Sequence, residues 1–453
     1  MRRRFLAPAL LIAPLSAPAA EVVWDGHYRA RGQYFNSLSL SNTNTNTEGA
    51  AALIDHRLRL QPGWLMSDKV GLFTQLDLLP YTMWGNEAIQ FSDPALGDDP
   101  LVLTGAVQPP TTDEGGSTLQ NIQVTRLWAE IHTGAGQVRF GRMPVEWGSG
   151  MLLNAGNAAN QEYGDTVDRI QYTGRAGQVY LQGGFESNAE QFVNEGDDVW
   201  SMTGSLLYKS EQAGVGVYNI YRNYSFDGDK FGMYTLDVWG AAQAGPLNIE
   251  AEFVAQIGRG DLGDGVNDAS INAFGAMLDA GYTLDRIRVG LGAGLATGDK
   301  DTTDDNFKTF TFDRDFNQTL LLFEEPMPTL QPTVSTDNNA GRDYDAARTG
   351  YALSNALYLR PRVGYAVSDD LTIDLSYFFA QAAALPDSEA DNKGYGSEVD
   401  VQAVFSPFEH FTLDGTIGVF FPGAYFSSYS HDDLGGDFDR PAVGGQLLGT
   451  VEF

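Results

Sequence analysis

Apolar and polar residues alternate along most of this 453-residue chain. Trp24, Gly26, Tyr28, Ala30, Gly32 and Tyr34 fall on one face of an extended segment, and Asp25, His27, Arg29, Arg31 and Gln33 on the other. Successive strand side chains point to opposite faces, so a period of two predicts strands with one apolar and one polar face. The same pattern sets Leu58, Leu60, Pro62 and Trp64 against Arg57, Arg59 and Gln61. It sets Leu247, Ile249, Ala251, Phe253, Ala255 and Ile257 against Asn248, Glu250, Glu252 and Gln256. Ile287 to Leu295, Leu371 to Phe379 and Val399 to Phe405 repeat it.

Period two alone does not separate a soluble sandwich from a membrane barrel. Three further features favour the barrel. The alternating stretches run about 10 residues, the length of a tilted strand that crosses a bilayer. Connections alternate between short (Ser67-Asp68-Lys69, Gly134-Ala135-Gly136, Asp285, Ser368-Asp369-Asp370) and long (80–120, 142–166, 298–350, 422–437), as short periplasmic turns and long outer loops do. Trp24, Trp64, Tyr208, Tyr282, Tyr365, Phe405 and Phe411 lie near the short turns, where an interfacial aromatic girdle belongs. The expected fold is therefore all-β: a transmembrane antiparallel up-and-down barrel. Its strands are expected near 23–36, 53–65, 70–79, 121–133, 137–142, 166–173, 178–186, 199–209, 214–224, 231–243, 246–257, 272–284, 286–297, 354–367, 371–381, 397–405, 411–421 and 440–453. That makes eighteen strands, or sixteen without 137–142 and 166–173. An even number puts both termini on the periplasmic side, and eighteen strands leave an aqueous lumen.

Composition narrows the class further. The net charge is -31 and there is no cysteine, which excludes disulfides and thiolate metal sites and argues against nucleic acid as a partner. Met1-Arg2-Arg3-Arg4, an apolar run to Leu15 and Ala17-Pro18-Ala19 read as a secretory signal peptide over 1–19, with the barrel over 20–453. The expected location is the outer membrane of a Gram-negative bacterium. Expected partners are its lipid and lipopolysaccharide, the barrel-assembly machinery, which is known to favour a terminal aromatic such as Phe453, and a small polar or oligosaccharide solute.

Catalytic motifs are missing. There is no Gly-x-Ser-x-Gly and no His-Glu-x-x-His, and the five histidines are scattered. No enzyme activity and no cofactor are expected. Asp299, Asp301, Asp304 and Asp305 crowd one loop and Asp432, Asp433, Asp437 and Asp439 another; their oxygens suit a structural Ca²⁺, with Asp299, Asp301, Asp304 and Asp305 as the candidate ligands.

The informative constellation is inward arginine. Alternation turns Arg29, Arg31, Arg57, Arg59, Arg126, Arg139, Arg169, Arg360 and Arg362 to the lumen, with Glu130, Glu250 and Glu252. In a closed barrel the arginines of the first six strands share one wall. Such a wall would select anions, or it would brace neighbouring strands by ion pairs, for which Asp25 and Asp55 beside Arg29 and Arg57 are candidates. The 142–166 connection, rich in Gly, Asn and Ala around Met151, Leu152 and Leu153, is the candidate infolded constriction.

Arg139-Phe140-Gly141-Arg142, Ala296-Thr297-Gly298-Asp299-Lys300, Gly396-Ser397-Glu398-Val399-Asp400 and Phe420-Phe421-Pro422-Gly423 occur in that order. In this the chain resembles the alginate-export family of outer-membrane porins, best over about 290–423. The resemblance implies an 18-stranded barrel with an arginine-rich pore for acidic polysaccharide. The expected function is passive diffusion of polar or anionic solutes through an arginine-lined pore. Polysaccharide export is the alternative within transport, and a receptor or structural barrel with a closed pore is the alternative outside it.

Overall fold

The computed structural model describes residues 21–40, 50–83, 122–190, 198–226, 228–262, 267–301, 304–325, 327, 352–385, 392–428 and 438–453. The signal peptide expected over 1–19 lies outside these residues, as do most of the 80–120 connection, Asp432, Asp433 and Asp437.

Eighteen antiparallel strands form the wall. They are β1 (Gly26–Asn36), β2 (Ala51–Leu60), β3 (Val70–Met83), β4 (Ile122–Thr133), β5 (Gly136–Pro144) and β6 (Thr166–Ala176). Next come β7 (Val179–Ala189), β8 (Val199–Lys209), β9 (Ala213–Phe226), β10 (Asp229–Ala244), β11 (Leu247–Gly260) and β12 (Ala269–Leu284). The wall ends with β13 (Ile287–Ala296), β14 (Ala356–Ala366), β15 (Leu371–Ala382), β16 (Gly394–Phe408), β17 (Phe411–Pro422) and β18 (Ala442–Glu452). Each strand pairs with its neighbours in sequence. β1 closes on β18 from His27↔Glu452 to Asn36↔Val443, so the sheet has no free edge. The first two wall strands are interrupted at matching points. Glu21–Val23 precedes β1 and pairs with Gly63–Ser67, which continues β2 beyond Gln61-Pro62. Pro62 has no N–H to give the ladder. Both strands at 137–142 and 166–173 form, so the count is eighteen and not sixteen.

The alternation is realised as two chemically distinct faces. Phe253, Leu278, Leu291, Leu359, Phe379 and Val401 stand on the outer face, and all are exposed. Tyr208, Tyr282, Tyr365 and Phe405 stand on it near the short turns, also exposed.

The connection expected as an outer loop over 298–350 departs from that reading. Its described part turns into the barrel. Asn306 and Phe307 run parallel to Ser270 and Ile271 of β12. Phe310, Phe312, Leu321, Leu322 and Phe323 are buried in one cluster with Val254, Met277, Tyr358, Phe378, Tyr395 and Phe420 of the inner wall. The short helix α1 (Ala424–Ser428) adds Tyr425 and Phe426. Apolar residues on the loop half of β11 to β18 thus face inward, against the simple in–out rule, because a loop rather than water lies against them. Glycine makes the room: a Cβ on Gly275 would lie 2.3 Å from the Phe310 ring.

Phe253→Arg should cost about 2–4 kcal/mol in a bilayer, the depth-dependent range for a cation on a barrel's lipid face. Guanidinium unfolding in lipid vesicles measures it. A change near zero would mean that this face does not meet an apolar solvent.

Candidate functional site

The connection 145–165 also folds inward, between β5 and β6. Its neck is tied by Val145 N–H to Asp165 O (3.1 Å) and Asp165 N–H to Asn154 O (2.7 Å). From there it lies across the arginine wall. Arg29 Nη1 donates to Ala159 O at 2.6 Å, Arg57 Nη2 to Gln161 O at 2.9 Å and Arg59 Nη1 to Gly156 O at 2.5 Å. Arg126 Nη1 donates to Asn157 Oδ1 at 2.9 Å, and its Nη2 to Ala155 O. Glu162 meets Arg29, and meets Arg31 at 2.8 Å and Arg57 at 3.7 Å. The loop offers carbonyls because a short irregular segment has no partner strand to take them, and a guanidinium has five donors in a fixed fork. Hydrogen bonds to a charged group contribute about 1.5–3 kcal/mol each, so five such donors dominate the docking.

The far side of the same loop rests on wall carboxylates. Trp147 Nε1 donates to Asp237 at 3.1 Å, and Ser149 N–H and Oγ–H both donate to Glu252 Oε2 at 2.6 Å. Gly148 has φ +61°, and a Cβ there would lie 2.3 Å from Glu252 Oε2. The second inserted segment is held alike. Leu320, Leu321 and Leu322 donate their N–H groups to Glu398 at 2.8–2.9 Å.

The two segments also hold each other. Asp313 N–H donates to Met151 O at 2.7 Å. Asp315 accepts from Glu162 N–H at 2.7 Å and Tyr163 N–H at 2.8 Å. The Asp165 and Asp313 carboxyls adjoin. Burial raises Asp165 to about 6, and burial together with Asp165 raises Asp313 to about 8. The Arg314 guanidinium lies over the Tyr163 ring, 3.5 Å from its centre, a cation–π contact.

Two polar cavities lie among the described residues. One, about 790 Å³, is lined by Arg31, Arg360 and Arg362 of the wall and by Arg314, Asp315 and Glu325 of the second segment. Burial raises Glu325 to about 7, with Arg31 opposing it. This cavity reaches the short-turn end at Thr283 and Arg288. The other, about 450 Å³, is lined by Arg57, Arg59, Arg126, Arg142, Asp77 and Asp168 toward the long-loop end. Glu162 and Tyr163 line both, so this pair stands where the two cavities come together.

The expected site residues therefore divide. Arg31, Arg360 and Arg362 line the larger cavity, Arg362 while paired with Asp279 at 2.6 Å. Arg57, Arg59 and Arg126 edge the smaller one, but their guanidinium groups are engaged by the loop. Arg29, Arg169 and Glu252 are buried. They line neither cavity, and neither do Glu130, Arg139 and Glu250, which bond to Trp128 and Gln137, to Gln171, and to Trp239. Met151, expected in the constriction with Leu152 and Leu153, is instead packed in the apolar cluster, Leu152 lies against it, and Leu153 bridges Trp147. Apolar side chains leave the water and bring Glu162 and Tyr163 to it; the alternation of the wall gave no signal for two residues on an irregular loop. Of the bracing candidates, Asp55 pairs with Arg29 (3.3 Å) and Arg31 (2.8 Å) and makes no ion pair with Arg57. Asp25 is exposed. Among the described residues no three acidic or His side chains converge as metal ligands. Asp299 instead accepts from Asp301 N–H and Lys308 N–H, both at 3.1 Å.

No protein-family profile matches the chain, so the resemblance to the alginate-export family has no support from one. No curated protein matches either. Solved structures do match. Pseudomonas aeruginosa OccK11 (OpdR) is 10% identical with a TM-score of 0.50, over 95% of this chain and 96% of that one. The outer membrane protein OpdK of the same species is 9% identical with a TM-score of 0.52, over 95% and 98%. OccK5 (OpdH), also from that species, is 12% identical with a TM-score of 0.50, over 95% and 98%. The likeness is one of fold: a closed eighteen-stranded barrel.

Two outcomes are expected. Gly148→Ala should loosen the 145–165 loop, because the added methyl collides with Glu252 and the backbone there is left-handed. Amide hydrogen exchange over 145–165 should rise at least tenfold with the strands unchanged; unchanged loop exchange contradicts the docking. The second concerns pH. Acids raised above their ordinary value favour the docked state below that value, and the contribution is lost as pH rises through the docked ones. Exchange in 145–165 and 313–325, corrected for intrinsic rates, should therefore increase between pH 5.5 and 9. Asp313→Asn should remove most of that increase; an Asn variant with the full pH response contradicts it.

Proposed function

We propose that the chain is a passive outer-membrane channel for small polar solutes. The observation that carries this reading is the arrangement of two polar cavities, meeting at Glu162 and Tyr163, inside a closed barrel whose outer face is apolar. The barrel likeness to OccK11, OpdK and OccK5 supports it. No step of it calls for catalysis or a cofactor. In this reading residues 1–19 direct export and the barrel-assembly machinery inserts the chain. The short turns and both termini face the periplasm, and the long loops meet lipopolysaccharide.

The solute is read as polar first and anionic second. Most wall arginines are occupied by the loop or by acids. Arg360 stands apart, since it lines the larger cavity and makes no ion pair among the described residues; its Nε, like those of Arg29, Arg57, Arg139 and Arg169, is buried without a hydrogen-bond partner. A solute carboxylate reaching that cavity would meet it. Any anion preference should accordingly be modest, and weaker in high salt, where charges are screened beyond about 3 Å at 1 M.

Purified protein in a planar bilayer should give stable single-channel steps in KCl without nucleotide or a gradient other than voltage. Reversal potentials in a tenfold KCl gradient should stay well inside the limits for ideal selectivity. A folded barrel without steps would mean a closed receptor or structural barrel. A reversal potential at the anion limit would restore the arginine wall as selector.

A further inference from the structure

One wall of the larger cavity carries a cross-strand row of uncharged polar residues. Gln402 of β16 is the direct cross-strand partner of Thr416 of β17, Thr416 of Gln446 of β18, and Gln446 of Gln33 of β1. All four line the cavity of about 790 Å³. They form an unbroken row of uncharged hydrogen-bonding groups across four neighbouring strands, at a pitch of about 4.8 Å. Amides and hydroxyls both donate and accept, as a sugar hydroxyl does. The Gln33 Nε2–Gln446 Oε1 contact is 3.4 Å, at the weak end of the range, so an incoming hydroxyl gives up little by replacing it. Several ions of the cavity pair with one another: Arg288 with Asp374 at 2.9 Å, Arg362 with Asp279 at 2.6 Å, and Arg31 with Glu162 at 2.8 Å; Asp414 instead accepts from Gln402 Nε2 of the row at 2.7 Å. An ionic solute would have to compete with those pairs; a neutral one need not. Asn160, Gln318 and Thr319 of the two inserted segments line the same cavity. The volume lies within the usual range for small-molecule sites, about 300–1,000 Å³.

We propose that the row Gln402–Thr416–Gln446–Gln33 is a binding track for an uncharged polyhydroxylated solute of mono- to disaccharide size. This deepens the channel reading and rests on it. The track holds the solute by hydroxyl–amide exchange on one wall of the larger cavity, before it passes Tyr163.

Single-channel recording in KCl, with sucrose or succinate added to one side, tests it. Sucrose should interrupt the current more strongly than succinate at equal concentration. The variant Gln33→Met/Gln402→Met/Gln446→Met keeps side-chain volume and removes three donor–acceptor groups. It should keep the ion conductance and weaken the sucrose block about tenfold or more, as expected for three ordinary hydrogen bonds. Gln446→Met alone should weaken it by a smaller factor, and it serves if the triple variant does not fold. Ion current without sucrose block, a block unchanged in a folded variant, or a stronger block by succinate would overturn the track and leave the channel standing. No ion current in the wild-type protein would overturn both.

Discussion

Four buried guanidinium groups hold one loop by its backbone. Arg29, Arg57, Arg59 and Arg126 stand on β1, β2 and β4, and each gives an N–H to a carbonyl between Ala155 and Gln161. The rest of the interior follows from that grip. Buried arginines need acceptors for their donors, and a loop crossing a lumen needs donors for its carbonyls. Each solves the other's problem. The charge is balanced by Asp55, Asp77 and Glu162, with Arg59 and Asp77 bonded through two N–H···O contacts of 2.7 and 3.0 Å. Once the loop is fixed, Asp315 and Met151 tie the second segment to it. The apolar cluster beneath the long loops is then closed by Phe310, Leu321 and Leu322. What is left open is the pair of cavities that meet at Glu162 and Tyr163.

The wall was legible in the sequence because a strand's two faces meet two different surroundings. Arg57, Arg59 and Leu58, or Glu250, Glu252 and Ala251, announce that division residue by residue. The inward arginines were legible for the same reason. What covers them was not. An arginine that faces water and one that faces a loop carbonyl occupy the same position in an alternating pattern. The second inserted segment was hidden differently. Phe310, Phe312, Leu321, Leu322 and Phe323 are a plain apolar signal inside a supposed outer loop, and Val254, Ala273 and Met277 are its counterpart on the inner face. Together they spell an internal core, which a reading that assigned every apolar wall residue to lipid could not place. Tyr163 had no signal at all, since its position depends on Asp315, more than a hundred residues away.

The interior is thus divided by chemistry along the barrel. The long-loop half of β11 to β18 is packed like the core of a soluble domain, while the short-turn half keeps a polar cavity. Glycines on the inner face serve both halves. Gly275 admits the Phe310 ring and Gly290 the Arg362 side chain, whose Nε would lie 2.7 Å from a Cβ there. A barrel of this girth would otherwise leave a wide aqueous lumen. Here the two inserted segments fill much of it and leave two polar cavities that share Glu162 and Tyr163.

The most direct test is the single-channel behaviour of a folded Arg59→Ala/Arg126→Ala variant. If these arginines anchor the loop, conductance rises and its fluctuations increase, while the reversal potential moves little. Unchanged conductance with a reversal potential shifted toward cations would contradict the account, because it would mean that these guanidinium groups face the passing ion and not the loop.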